Sequence, residues 1–293
     1  GPGPFVTWCL VRVREGQPLV APSRRHRKGL RPHPVAAAEH GGRLLGVDPR
    51  AFGHLWAPGR LGWWVAAAFL CGSSCFTVGA FAASFPAAVG GALLDGTFLG
   101  WLFAVGAVFF TGAAWLQWLE ALNGDVREAL RAEARRRWRW WGWRPRNLGF
   151  LASGIQLVGT LLFNVSTLAA TRPELSSAQE SLWIWAPNMA GCVCFLVASY
   201  LAYAEVSHGP GSFAPHSLSW WIAVINLVGS VAFQVSGCTS YVGAPPGVLF
   251  WSNVLTMAGG ACFLVGAYLL IPELFDEPPA ELGSSSSARR ARS

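Results

Sequence analysis

Six long apolar stretches alternate with shorter polar ones along the chain. A helix needs about 20 residues to cross the ~30 Å hydrocarbon layer of a bilayer, and each stretch is longer than that. The pattern predicts transmembrane helices over Leu61–Phe85, Phe98–Leu119, Asn147–Ala170, Leu182–Ala204, Ser219–Tyr241 and Leu249–Ile271. We therefore predict an all-α integral membrane protein with six transmembrane helices.

The composition supports this assignment. Of the 293 residues, 53% are hydrophobic and only 13% are charged, whereas charged residues make up about 25% of a soluble domain. Between Val206 and Pro272 there is no Asp, Glu, Lys or Arg over 67 residues. A soluble globular domain is excluded.

The positive charges predict the orientation. Of the 22 Lys and Arg residues, ten precede the first span, eight lie between the second and third, three follow the last, and Arg172 alone lies in another loop. Positive residues are retained on the cytoplasmic side. Both termini are therefore predicted to be cytoplasmic.

The two ends of the chain are predicted to be disordered tails. The first, 1–60, is a basic cytoplasmic tail that includes Arg24-Arg25-His26-Arg27-Lys28, and the last is 274–293. We expect the first tail to be attracted to anionic lipid of the inner leaflet. A nucleic-acid-binding arm is disfavoured, because no binding motif accompanies the charge.

The segment 121–146 combines arginine with tryptophan at a density typical of the headgroup layer. Apolar residues recur every four positions from Leu122 to Trp138, which predicts an amphipathic helix on the membrane surface. A docking site for a partner or for acidic lipid is the next interpretation. The predicted lipid-headgroup contacts are Arg135, Arg136, Arg137, Trp138, Arg139, Trp140, Trp141, Trp143, Arg144 and Arg146.

The six spans resemble one another in pairs. In the odd-numbered spans a Gly follows an apolar residue by eight positions and precedes a Phe by four. The even-numbered spans share Met189–Val197 over Met257–Val265, and a Glu stands ten residues after Phe110, Phe195 and Phe263. We predict three helical hairpins of the same orientation: 61–120, 147–205 and 206–273. They would form either a pseudo-threefold bundle or a linear array.

Two sets of polar residues have functional promise. Gln156, Asn164, Asn226 and Gln234 form a candidate polar pathway, because amides at membrane depth need partners. The alternative is hydrogen bonding between helices. Glu120, Glu205 and Glu273 are candidate carboxylates at the inner mouth; they would bind cations or protons, or simply mark where helices end.

Other chemistry is not indicated. Six cysteines (Cys71, Cys75, Cys192, Cys194, Cys238 and Cys262) fall within apolar spans, where a free Cys packs as a small hydrophobe. The sequence carries no phosphate-binding Gly loop, zinc motif or nucleophile elbow. We predict no metal, no cofactor and no enzymatic activity.

Several motifs resemble a known family. Trp185-Ala186-Pro187-Asn188-Met189, Arg137-Trp138-Arg139-Trp140-Trp141 and Cys262-Phe263-Leu264-Val265-Gly266 are similar to a signature of bacterial six-helix membrane proteins with the YrhK-like domain. The resemblance covers roughly residues 60–273. It implies an integral protein of the bacterial inner membrane and implies no activity.

Two function classes follow from the sequence. The first is a non-enzymatic scaffold that interacts with anionic lipid, a membrane protein partner or a second copy of the chain. The second is a small-solute transporter or channel that uses the intramembrane amides. Amides that converge on a cavity favour transport, and amides paired across helix contacts favour a scaffold.

Overall fold

The computed structural model describes residues 5, 7–11, 19–28, 30, 33–34, 49–124, 138–172, 174–211 and 213–276. Six of its helices are long and apolar enough to cross a membrane, which confirms the predicted all-α, six-span class. They are α2 (Leu61–Ser84), α3 (Gly96–Asn123), α4 (Leu148–Ala170), α5 (Ser177–Val206), α6 (Leu218–Thr239) and α7 (Pro246–Glu273).

Polar caps determine where several of these helices begin. Asp95 accepts a hydrogen bond from the backbone of Thr97 at the start of α3, and Asn147 does the same for Phe150 in α4. A capping box between Ser176 and Gln179 starts α5 five residues before the predicted Leu182. The apolar pattern alone does not reveal these extra polar turns.

The six helices form a closed ring. Each packs against the next in the sequence, and α7 packs against both α6 and α2. The backbone of Thr77 in α2 lies 3.1 Å from the position that a Cβ on Gly260 of α7 would occupy. The hairpins therefore form a bundle and not a linear array, an alternative that the sequence left open.

Phenylalanines fill the centre of the ring, one from each helix. Those of α2, α4 and α6 contact one another with ring centroids 5.9–6.3 Å apart. Those of α3, α5 and α7 form a second triangle at 5.6–6.3 Å, and each hairpin joins the two triangles at 5.0–5.2 Å. We call Phe76, Phe110, Phe163, Phe195, Phe233 and Phe263 the phenylalanine core. It blocks the bundle axis with apolar rings.

Close helix contacts within each hairpin depend on glycine. A Cβ on Gly159 would lie 3.1 Å from the carbonyl oxygen of Gly191, and one on Gly229 would lie 3.1 Å from that of Gly259. In the first hairpin, a Cβ on Gly72 would lie 3.0 Å from the carbonyl oxygen of Gly106. Small residues allow such approach in lipid. The internal repeat itself stays a prediction from the sequence.

The structure differs from the predicted disordered tail for part of 1–60. Among the described residues, Trp8–Val11, Leu19–Pro22 and His33–Pro34 form the antiparallel strands β1, β2 and β3, and Ser23–Arg27 forms the short helix α1. At the other end, Leu274 is buried. The predicted amphipathic helix falls mostly on 125–137, which lies outside the described residues, as do 277–293.

Candidate functional site at the glutamate end

The three predicted carboxylates lie together at one end of the bundle, which we call the glutamate end. Glu120, Glu205 and Glu273 occupy the last turns of α3, α5 and α7, which run in the same direction. Their relative exposures are 7%, 1% and 1%. A buried carboxylate needs a counter-charge or several hydrogen-bond donors.

The chain supplies those donors to Glu205 from α1. Arg27 Nη1 lies 2.5 Å from Oε1 and 2.6 Å from Oε2 of Glu205. The hydroxyl of Ser23 donates to Oε1 of the same carboxylate over 2.6 Å. Both sides of this ion pair are buried.

Glu273 accepts a second group of bonds. Arg24 donates from Nε over 2.8 Å and from Nη2 over 3.1 Å, a two-pronged geometry that suits a carboxylate. Ser219 donates over 2.5 Å, and Lys28 forms a further ion pair. Glu273 therefore faces two buried cations.

One further ion pair attaches this segment to the bundle. Arg25 pairs with the carboxylate of Asp276 and also donates to its backbone oxygen over 2.6 Å. We call Ser23–Lys28 the basic latch. Its four cations contact residues from α5, α7 and the turn after α7.

Burial and the neighbouring carboxylates shift the pKa values of the latch cations in opposite directions. Burial lowers the pKa of Lys28 and outweighs the attraction of Glu273. For Arg24 burial also opposes the charge, but the neighbouring carboxylate of Glu273 outweighs it and raises the pKa. The buried cations of the latch are therefore compensated by the carboxylates that they contact.

A small cavity of about 50 Å³ lies between the latch and the phenylalanine core. This volume has room for a few water molecules. Arg24 contributes to its wall, together with the polar side chains Gln117, Gln156, Ser199 and Asn226. Within the described part of the chain, Oε1 of Gln117 is buried without a hydrogen-bond partner.

The four predicted pathway amides fall into two groups. Gln156 and Asn226 line the cavity, seven residues before the core phenylalanines of α4 and α6, or about 10 Å along each helix. Asn164 instead donates to Thr111 of α3 over 2.5 Å, and Gln234 donates to Met189 of α5 over 3.3 Å. The structure therefore does not join the four amides into one path.

The structure describes residues 121–124 and 138–146 of the segment 121–146, which we call the Arg/Trp segment. Trp138, Trp140 and Trp143 are exposed, while Trp141, also exposed, packs its ring 5.8 Å from that of Trp118 in α3. Asn123 fixes the segment by exchanging two hydrogen bonds with the backbone of Arg139, at 2.8 and 2.9 Å. Arg144 and Arg146 follow within the described range, and Arg135, Arg136 and Arg137 lie outside it.

The sequence interpretation missed the basic latch and the cavity residue Gln117. Residues Arg24–Lys28 show no periodic pattern of apolar residues, and the sequence alone therefore predicts that they are attracted to anionic lipid. The available signal was charge complementarity: a run of cations in one segment, and three glutamates at the ends of helices of the same orientation.

Comparisons with known proteins add no relative. No family model matches the chain, no curated protein matches it, and no solved structure matches it.

Proposed function

We propose that this chain is a non-enzymatic membrane protein that holds anionic lipid or a protein partner and does not pass solute. The observation that carries the proposal is the phenylalanine core. Six rings from six helices contact one another on the axis, where a transport path would need polar groups or water. The bonds of Asn164 and Gln234 across helix contacts also favour a scaffold.

The proposal includes a location and a family. We infer a bacterial inner membrane with both termini, and hence the glutamate end, on the cytoplasmic side. The distribution of Lys and Arg between the spans supports this orientation. The YrhK-like resemblance is consistent with that location.

We expect the Arg/Trp segment to select anionic lipid. In nanodiscs with one part phosphatidylglycerol to three parts phosphatidylethanolamine, native mass spectrometry should find phosphatidylglycerol enriched on the wild-type protein. Each Arg near a headgroup contributes about 1 kcal/mol. The triple variant Arg135→Gln, Arg136→Gln, Arg137→Gln should therefore retain at least about tenfold less of it.

A matched control separates this effect from total charge. The triple variant Arg289→Gln, Arg290→Gln, Arg292→Gln removes three charges from the C-terminal tail, and retention should change little. Equal loss in both triple variants, or no enrichment on the wild-type protein, would contradict lipid binding at the Arg/Trp segment.

A small-solute transporter is the second candidate, and the cavity favours it. Gln156 and Asn226 converge there with Gln117 behind a charged mouth. Such a carrier would have to displace the basic latch at one end and separate the phenylalanine core at the other. Its flux should disappear in a variant with both Gln156→Leu and Asn226→Leu.

A further inference from the structure

Sulfur atoms converge between α5 and α6, near the end of the bundle opposite the glutamates. Sδ of Met189 in α5 lies 4.0 Å from Sγ of Cys238 in α6. A Cβ on Gly237 would lie 3.5 Å from that Met189 sulfur and 3.1 Å from Sγ of Cys192. The Met189 and Cys192 sulfurs are therefore no farther apart than the sum of these two distances.

Cys192 differs from the three cysteines that pack against a glycine within their own hairpin. The Cβ atoms of Cys75, Cys194 and Cys262 each lie close to a glycine of the neighbouring helix. A Cβ on that glycine would be 2.9, 2.8 and 2.9 Å away, respectively. Packing explains those three. Cys192 aligns with Gly260 in the last hairpin, so the packing scheme does not require a thiol there.

The local backbone is unusual at the same place. Residues Ser181–Trp185 of α5 form a π-helical turn immediately before the segment that carries Met189 and Cys192, and such turns are frequent at functional sites. The indole of Trp185 donates to the carbonyl oxygen of Gly237 over 3.0 Å. This bond holds the sulfur-bearing parts of α5 and α6 against each other.

An amide completes the cluster. Gln234 donates from Nε2 to Met189 Sδ over 3.3 Å and lies 3.5 Å from Cys238 Sγ. Its Oε1 is buried and has no hydrogen-bond partner among the described residues. Contacts among the described residues therefore leave one hydrogen-bond acceptor of the Gln234 amide unsatisfied.

We propose that Met189, Cys192 and Cys238 form a binding site for a soft monovalent metal ion, with Cu(I) as the chemical type. Thiolate and thioether ligands select Cu(I). Metal–sulfur bonds of about 2.3 Å place the sulfurs of a trigonal site about 4 Å apart, which is the separation of Met189 and Cys238. This site is independent of the proposed scaffold function.

The binding step balances without an oxidant. Cu(I) forms bonds to the sulfurs of Cys192 and Cys238, each of which releases its thiol proton, and the thioether of Met189 donates a third pair of electrons. The metal keeps its oxidation state, and two protons leave. Cys238, one residue before the end of α6, is exposed next to the loop that follows, whereas Cys192 is buried.

Competition with a colorimetric Cu(I) chelator tests the site in the full-length reduced protein. The wild-type protein should retain one equivalent. Cys192→Ser and Cys238→Ser should each weaken binding by at least about 100-fold, and Met189→Leu, which conserves volume, by about tenfold. Cys194→Ser, on the same helix as Cys192, should bind as the wild type does.

Two further readouts keep the test decisive. Thermal unfolding without metal identifies any variant that fails to fold, and X-ray absorption should show only sulfur ligands at about 2.3 Å. Absence of a retained equivalent, or equal binding by the Cys192→Ser and Cys194→Ser variants, overturns the proposal.

Discussion

Replacing Glu273 with glutamine should release the basic latch from the bundle. The carboxylate accepts bonds from Arg24 and Ser219 and pairs with Lys28, all at a buried position. The variant leaves two buried cations facing a neutral amide. Removing one partner of a buried ion pair costs about 3–5 kcal/mol, because the remaining charge is uncompensated.

Limited trypsin digestion in detergent measures this release. Cleavage after Arg24, Arg25, Arg27 or Lys28 requires the latch to leave the bundle, and its rate follows the open population when opening is fast. A cost of about 3 kcal/mol corresponds to roughly 100-fold faster cleavage at these bonds. Mass spectrometry of the fragments identifies the bonds that are cut.

Asp276→Asn is the matched control for this experiment. Asp276 also pairs with a latch residue, Arg25, but its backbone oxygen keeps one bond from that guanidinium in the variant. We expect less than about a tenfold increase in cleavage. If Glu273→Gln is cut no faster than the wild type, the latch is not held by its charges.

The second large effect is expected in the phenylalanine core. Phe195 is 1% exposed and contacts Phe110, Phe163 and Phe263 with centroids 5.0–6.1 Å apart. Phe195→Ala removes these contacts and leaves a cavity in the centre of the bundle. Such truncations of buried Phe cost about 3–5 kcal/mol.

Thermal unfolding in detergent compares this variant with Phe109→Ala. Phe109 lies next to a core residue in α3 but is 40% exposed on the outside of the bundle. Its truncation leaves no enclosed cavity, so its unfolding midpoint should shift far less than that of Phe195→Ala. Equal shifts would show that the core rings are no better packed than the exterior ones.

The sequence predicts the six spans well, because length and apolar composition are sufficient to identify them. The sequence does not predict that α7 packs against α2 and closes the ring. Small residues such as Gly229 and Gly259 indicate close helix contacts, but such contacts are equally compatible with a bundle and with a linear array. Contact between α2 and α7 joins residues far apart in the chain. A periodic pattern within one helix carries no information about such a contact.

The candidate site was predicted only in part. The three glutamates were placed at one end of the bundle, since each follows its core Phe by ten residues. Their partners were missed because α1 has only five residues and shows no period. The approach of Cys238 to Met189 was missed for the same reason as the closed ring, because it joins two helices.

Solute flux in proteoliposomes tests the closed axis most directly. Stopped-flow light scattering would follow shrinkage after a challenge with urea or guanidinium chloride, for the wild type, for Gln156→Leu with Asn226→Leu, and for empty liposomes. The account predicts that liposomes with either protein recover their volume, as the added solute enters, no faster than empty liposomes. Faster wild-type flux that the double substitution abolishes would contradict the account and establish the amides as a transport path.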